Sequence, residues 1–473
     1  MQCRIFAVLL AIGASVSLSG QSVPQPDWTK FETETMAHFQ ALVRLDTSNP
    51  PGHEKLVTDY LAQALEREGI PSQLYALEPD RPNLVARIKG NGRKQPILLM
   101  GHTDVVSVDP TKWTHPPFSA ARADGYVYGR GSLDDRPHLV AALMTLLTLK
   151  RLNVPLDRDV IFLAESGEEG SSRVGADYMV AQHVDAIRAE YCLAEGGGVT
   201  RIGGRPAYAS IQTIEKRPRP IELTARGTSG HASRPLPDNA VVHLAAAVAA
   251  LGRWRAPIRL NETTTEHFKR LAELSPASEA EHLRAILRPG SPQAAAADDY
   301  LVSNQPALAA MIRATISPTM ITAGYRVNVI PSDAKATLDV RMLPDEDPDA
   351  FLATLRRVIN DPLVTVAVSS VTDGRPASPG TARIDTEAFR TLEAEVKKHY
   401  GVVTLPMMGV GATDMAQVRA KGMQCYGTGP ASDREDTSKG FGAHSDQERI
   451  LESEVHRFVR FQWDVVNDLS RTP

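Results

Sequence analysis

Several apolar runs in the first half of this chain end on residues that are costly to bury. "PILLMGH" closes on His102, "DVIFLAE" on Glu165 and "AEYCLAE" on Glu195. A carboxylate at the end of a buried strand is expensive to desolvate unless something pairs with it. Between these runs lie stretches of helical character, such as "HLVAALMTLLTLKRL" and "GADYMVAQHV". Strands alternating with helices predict an α/β layer around a mainly parallel sheet. Ligands of open α/β sheets bind beyond the carboxyl ends of the strands. Acids and histidines from distant segments can therefore converge at one edge.

Two helices are expected across residues 30–70, separated by the turn "DTSNPPG" and closed by Gly69. From Pro218 the texture changes. "PIELTARG" alternates like a half-exposed strand, and "DNAVVHLAAAVAALGRW" is an amphipathic helix. "TMITAGYRVNVIP" and "DAKATLDVRML" read as two strands around a Pro-Ser-Asp turn, followed by the helix "DPDAFLATLRRVI" and the strand "LVTVAVSSV". That order is the split βαβ pattern. The α/β pattern resumes at "TEAFRTLEAEVKKHY". The expected organisation is a discontinuous α/β domain over 27–215 and 378–473. Inserted in it is an α+β, ferredoxin-like lid over 216–377, with a helical insert at about 256–318.

The chain has 473 residues, enough for two domains with separate cores. A net charge of −4 and the lack of a long Lys/Arg block exclude nucleic acid as the main partner. Residues 1–20 read as a signal peptide: Arg4 supplies the charged start, 5–16 are apolar or small, and "SLSG" precedes a cleavage before Gln21. The run falls short of the roughly 20 apolar residues of a membrane span. The expectation is export, to the periplasm or the medium, with no stable membrane span after cleavage. Cys192 and Cys425 would remain. Both sit in apolar runs and read as small buried core residues, with one bridge between them as the alternative.

The chemistry-bearing residues cluster at strand ends and helix starts. "LLMGHTDVV" carries His102 and Asp104, and "YGRGSLDDRPH" carries Asp134 and Asp135 before a helix whose first turn suits Pro137. "ESGEEG" adds Glu168 and Glu169, "LAEGGG" adds Glu195, and "GFGAHSDQERI" adds His444. Imidazoles and carboxylates without thiolates suit zinc or a similar divalent ion. Each also has a plain structural reading. Asp134 and Asp135 could cap a helix, the glutamates could line a solvated loop, and a lone histidine could merely hydrogen-bond at a strand end. Their shared placement favours a metal centre.

Seven motifs occur in order: "GHTDVV", "GRGSLDDRPH", "GEEGSS", "AEGGG", "GTSGHASRP", "NVIPSDAKATLDVR" and "GAHSDQERI". Through them the chain, from about residue 30 to its end, resembles the di-zinc metallopeptidase family of aminoacylases, glutamate carboxypeptidases and succinyl-diaminopimelate desuccinylases. The resemblance implies a zinc-peptidase-like catalytic domain with an inserted lid. It implies that His102 and Glu195 bind one metal ion, Glu169 and His444 a second, and that Asp134 bridges both. Asp104 would orient the His102 ring, Asp135 would orient its loop, and Glu168 would be the general base. The implied cofactor is a pair of divalent ions, zinc first, with cobalt or manganese as alternatives.

On the lid, His231 matches a family histidine that stabilises the oxyanion, often across a lid-mediated homodimer. Asn328 and Arg341 match positions that bind the substrate's carbonyl and carboxylate, and Thr413 with Asp414 matches a substrate-side loop. A helix-cap histidine and a structural strand arginine are the bland readings of His231 and Arg341. Where the family usually has Lys-Gly after the Asp pair, this chain has Arg136-Pro137-His138. His138 is expected as a first-turn helix residue facing away. The long insert resembles the carboxypeptidase S and N-acyl-amino-acid hydrolase branch.

The expected function is hydrolysis of an amide or peptide bond next to a free carboxylate. The substrate would be a small peptide or an N-acyl amino acid, attacked by a metal-bridging water with Glu168 as base. The alternative is a non-catalytic, metal-stabilised binding protein that keeps the fold.

Overall fold

Burial on both faces explains why the central strands read as unbroken apolar runs. In the computed structural model, which describes residues 25–369 and 380–471, four parallel neighbours form the middle of a ten-stranded sheet. They are Val160–Glu165, Ile97–His102, Tyr191–Ala194 and Gln424–Gly427. Along Ile97–His102 the side chains alternate between two cores. Ile97 and Leu99 pack with helices Trp28–Val43, Arg136–Arg151 and Glu452–Ser470, whereas Leu98 and Met100 pack with Ala176–Gln182 and Met415–Arg419. The helix Arg136–Arg151 is buried from Arg136 through Leu149, as its all-round apolar sequence requires.

The parallel centre is therefore as expected, while the flanks are antiparallel: Asn83–Ile88 against Val160–Glu165, and Arg205–Glu215 against Gly198–Ile202. Cys192 and Cys425 are free, buried and in register on adjacent strands. The expected signal peptide and the boundary at 377/378 lie outside the described residues. No helix among the described residues is long and apolar enough to cross a membrane.

A second sheet runs, in spatial order, Val364–Val368, Ile221–Arg226, Asp333–Met342 and Thr315–Ala323, all antiparallel. The helices Ala240–Arg253 and Pro348–Ile359 bury their apolar stripes on it through Leu244, Leu251, Phe351 and Leu355. This is the split βαβ order read from the sequence. The run "TMITAGYRVNVIP" is not one strand, however. It breaks after Ala323, and Val329–Ile330 instead pairs with Gly230–His231.

The insert also differs from expectation. Its helices end at Met311, strand Thr315–Ala323 begins inside the range assigned to it, and most of its core is separate from that of the lid sheet. Phe268, Leu283, Ile286 and Leu301 instead pack against Ile214 and Met408 of the large sheet. Within that contact His267 is buried, its Nδ1 donating to the Pro406 carbonyl at 3.0 Å. Burial pushes its pKa down to about 4, against about 6.5 for an exposed histidine. Above pH 6.5 the ring is neutral folded or unfolded, so it costs nothing. Between pH 6.5 and 4 only the unfolded chain takes the proton, and stability falls by about 3 kcal/mol. Denaturant titrations of wild type and His267→Phe across that range should show a shallower acid loss in the variant. Parallel curves would remove His267 as a cause.

Candidate active site

Three of the four strands of the parallel centre end on, or run directly into, an acid or histidine. His102 ends Ile97–His102, and Glu195 follows Tyr191–Ala194. Asp134 precedes the helix Arg136–Arg151, joined to Asp135 by a cis peptide bond. Donor atoms of His102, Asp134 and Glu195 lie within 4.8 Å of one another, as do those of Asp134, Glu169 and His444. Asp134 belongs to both groups, and Glu168 to neither. His102 Nε2 is 2.8 Å from Asp134 Oδ1, while His444 Nε2 lies 3.1 Å from Asp134 Oδ2 and 2.8 Å from Glu169 Oε1. Two residues far apart in sequence thus meet across one carboxylate.

The electrostatics match this arrangement. Asp134 and Glu169 hold the His444 imidazole up to about 10. Burial works against a charged His102, but Asp104 and Asp134 more than offset it and raise it well above its ordinary value. Burial and the charges of Asp134 and Glu168 push Glu195 well above the usual carboxylate range. Three carboxylates (Asp134, Glu169, Glu195) face two imidazoles in the donor groups, and the carboxylates of Asp104 and Glu168 lie close enough to act on His102 and Glu195. Such a set suits divalent cations held by nitrogen and oxygen.

Asp104 does two things at once. Its Oδ1 accepts from the amides of Gly167 and Glu168, and its Oδ2 from Glu169 N and Asn49 Nδ2, at 2.8 to 3.1 Å. The His102 Nδ1 is 3.1 Å from the Asp104 backbone carbonyl and 3.4 Å from Oδ1. The ring is thus oriented mainly by the backbone, and the side chain chiefly fixes the turn that carries both glutamates. Gly167 makes that turn with φ +82, and a Cβ there would lie 2.5 Å from the Ser171 carbonyl oxygen. His444 sits at φ +63, a left-handed conformation unusual for a side-chain-bearing residue.

Glu448 and Arg130 were not singled out by sequence reasoning, yet they hold this backbone. Glu448 is fully buried, accepts from Leu133 N at 2.7 Å and Asp134 N at 3.3 Å, and pairs with Arg130 at 2.6 Å. Arg130 in turn donates to the His444 carbonyl at 3.3 Å. Both lie inside motifs quoted above, "YGRGSLDD" and "AHSDQERI"; charged residues so near metal-ligand candidates were the available signal. Glu165 is buried as well, and burial together with Asp414 pushes its carboxyl well above the ordinary range.

His138, a first-turn residue of the helix Arg136–Arg151, belongs to neither donor group. Its ring is buried, with Nδ1 on the Asp135 carboxylate and Nε2 3.2 Å from the Thr428 carbonyl. Asp135 Oδ2 also accepts from His102 N at 3.3 Å. Arg136 fills the place where the family usually has lysine and donates inward to the Thr103 carbonyl and Thr47 Oγ1, each at 2.7 Å.

The lid positions are not drawn into the cluster. His231 is exposed with its Nδ1 2.7 Å from Ser233 Oγ, and Asn328 accepts from Ala232 N through its carbonyl. Arg341 is committed to Asp339 through Nε at 2.7 Å and Nη2 at 3.0 Å. Thr413 donates its hydroxyl and amide to Glu215, which pairs with Arg419 in a buried contact. None of these hydrogen bonds reaches the strand-end cluster. A Thr413 hydroxyl held in this way fixes the loop.

Residues 98–467 match the model of the peptidase family M20/M25/M40. This chain belongs to that family. Membership makes it a metal-dependent hydrolase by class and bears out the resemblance seen in the seven motifs. Among related proteins, the N-fatty-acyl-amino acid synthase/hydrolase PM20D1 of Homo sapiens is 30% identical over 351 residues, covering 72% of this chain and 66% of that protein. The probable carboxypeptidase S-like 2 of Dictyostelium discoideum is 30% identical over 335 residues, covering 68% and 62%. The matched part thus spans slightly under two thirds of either relative. Among solved structures, the M20 family metallo-carboxypeptidase Sso-CP2 from Sulfolobus solfataricus has a TM-score of 0.68 at 21% identity, covering 92% of this chain and 98% of that one. At that identity the likeness shows the fold.

Proposed function

We propose that this M20/M25/M40 chain is an exported amidohydrolase or carboxypeptidase, acting on small peptides or N-acyl amino acids at the bond next to a free carboxylate. The observation that carries the reading is the pair of donor groups sharing Asp134, with Glu168 beside them and in neither group. His102, Glu195 and Asp134 would hold one divalent ion, and Asp134, Glu169 and His444 a second, zinc being the ion that best suits the donors. When bound, such ions acidify water and polarise an amide carbonyl. Glu168 takes the proton from the attacking water and returns it to the leaving nitrogen. Asp104 holds Glu168 and Glu169 in one rigid turn, so that base and ligand keep a constant offset. Arg341 is the group for the substrate carboxylate, exchanging Asp339 for a bidentate ligand of the same kind.

Turnover of a panel of dipeptides and N-acyl amino acids by the metal-loaded protein, with metal counted alongside, tests this. Hydrolysis confined to substrates with a free carboxylate is expected. A fully loaded protein that turns over none of them would leave the binding-protein alternative standing. Export rests on residues 1–20, and N-terminal sequencing of the secreted chain should begin at Gln21.

Homodimerisation through the lid belongs to the same proposal. Thr315–Ala323 is the outer strand of the lid sheet, and exposed edges template pairing with a second chain. Met320 is 64% exposed, Ile321 61% and Val327 97%; His231 lies on the ribbon formed with Val329–Ile330, and Asn328 immediately precedes that strand. A two-fold pair along this edge would bring His231 towards the partner subunit. Light scattering should give twice the chain mass for the wild type and a monomer for Met320→Lys/Ile321→Lys. A wild-type monomer would rule the dimer out.

A further inference from the structure

A second imidazole–carboxylate cluster lies away from the strand ends, between the helices Glu387–Tyr400 and Glu452–Ser470. Glu395 and His399 stand one turn apart on the first helix, and Asp464 and Asp468 one turn apart on the second. Residues at that spacing share a helix face, so four donors are presented across one helix–helix contact. His399 Nε2 lies 2.9 Å from Asp464 Oδ2 and 3.4 Å from Glu395 Oε2. One donor atom from each of these three falls within 4.8 Å of the others.

The strand-end cluster supplies an internal yardstick. There the histidine-to-carboxylate separations are 2.8 to 3.1 Å, a range that the His399–Asp464 separation matches and His399–Glu395 exceeds by 0.3 Å. The donor chemistry is also the same, imidazole with carboxylates and no thiolate. The walls are partly apolar, with Phe461 edge-on to His399 at a centroid distance of 5.9 Å.

Lys398 occupies the cation position, its Nζ 2.9 Å from Glu395 Oε2 and 2.7 Å from Asp464 Oδ2. Its side chain is 56% exposed, whereas Glu395 is 5% and Asp464 16% exposed. The ammonium can therefore swing into water while the carboxylates stay. Three carboxylates against one ammonium and one imidazole leave surplus negative charge. Burial and Glu395 push Asp468 up to about 6, and Asp464 and Glu395 raise His399 despite its burial.

We propose that Glu395, His399 and Asp464, with Asp468 as a further oxygen donor, form a third metal site for one zinc ion, which displaces the Lys398 ammonium and the imidazolium proton. Zinc accepts such mixed nitrogen and oxygen ligands. Bound there, it staples the C-terminal helix Glu452–Ser470 to Glu387–Tyr400. The former also packs on Arg136–Arg151, the helix that begins just after Asp134. The inference does not depend on the proposed hydrolysis.

The test uses the full-length protein loaded with zinc and freed of loose ion by gel filtration. Zinc per chain is then counted, and melting is followed with and without the metal. His399→Ala and Asp464→Asn should each carry one equivalent less than the wild type and lose part of its zinc-dependent rise in Tm. Lys398→Met, which removes the competing cation, should bind that equivalent about tenfold more tightly. Equal zinc counts in the wild type and either folded variant, or an unchanged affinity in Lys398→Met, would overturn the site and leave an interhelical ion-pair network. Failure of the strand-end site would appear separately, as equivalents insensitive to His102→Ala and His444→Ala.

Discussion

Glu168→Gln is expected to hold metal as the wild type does and to lose roughly 10³-fold in kcat, within the range usual for a positioned acid–base group. Glutamine keeps the size of the side chain and removes only its proton affinity. The turn should persist, because Asp104 grips it through the backbone amides of 167–169 rather than through the Glu168 carboxylate. Metal content and kcat measured on one preparation decide the matter. Near-normal turnover at full metal occupancy would remove the general-base assignment. The companion change Glu169→Gln should behave differently and lose metal and turnover together, since Glu169 lies 2.8 Å from His444 Nε2 within a donor group.

Glu448→Ala should damage stability and metal binding together, although Glu448 lies outside both donor groups. It strands the Arg130 guanidinium in the interior and leaves the Leu133 and Asp134 amides without their acceptor. Breaking a buried ion pair from one side typically costs about 3–5 kcal/mol. Because Arg130 also supports the His444 carbonyl, metal affinity should fall along with Tm. Glu448→Gln retains an acceptor for the amides and should be the milder variant. A Glu448→Ala protein with wild-type melting and wild-type metal content would show that the loops stand without it.

Much of the site was legible because metal ligation and proton transfer demand particular residue types, and strand ends are where α/β sheets present them. Type and position singled out the strand-end set of His102, Asp104, Asp134, Asp135, Glu168, Glu169, Glu195 and His444. The family resemblance chose His102, Asp134, Glu169, Glu195 and His444 among them as ligands, and these five do converge in space. The lid residues were less legible. His231, Asn328 and Arg341 were named through resemblance, and in this structure their hydrogen bonds stay within the lid. Position in a motif indicates a residue type but not the distance between two separately folded sheets. The insert was misplaced for a related reason. Its apolar stripe showed that Phe268 and Leu301 must be buried, but a stripe does not specify its partner, and the free apolar surface lay at Ile214 and Met408.

The sequence by itself determined the alternation of buried strands and helices, the second split βαβ unit and the set of strand-end acids and histidines from which the donors are drawn. Each of these follows from local periodicity or from chemistry that few side chains can perform. The family resemblance implied that Asp134 bridges and Glu168 stays unligated, and the donor groups agree. Only the tertiary structure decided that Asp104 grips a turn more than a ring, that Glu448 ties two loops together, and that the lid positions bond away from the donor groups. Those facts are distances between segments up to some three hundred residues apart, and short-range sequence pattern carries no such distance. The adjacent glutamates illustrate the division. Their chemistry is written in the residues, and the difference between them is set by how a glycine turn is held against Asp104.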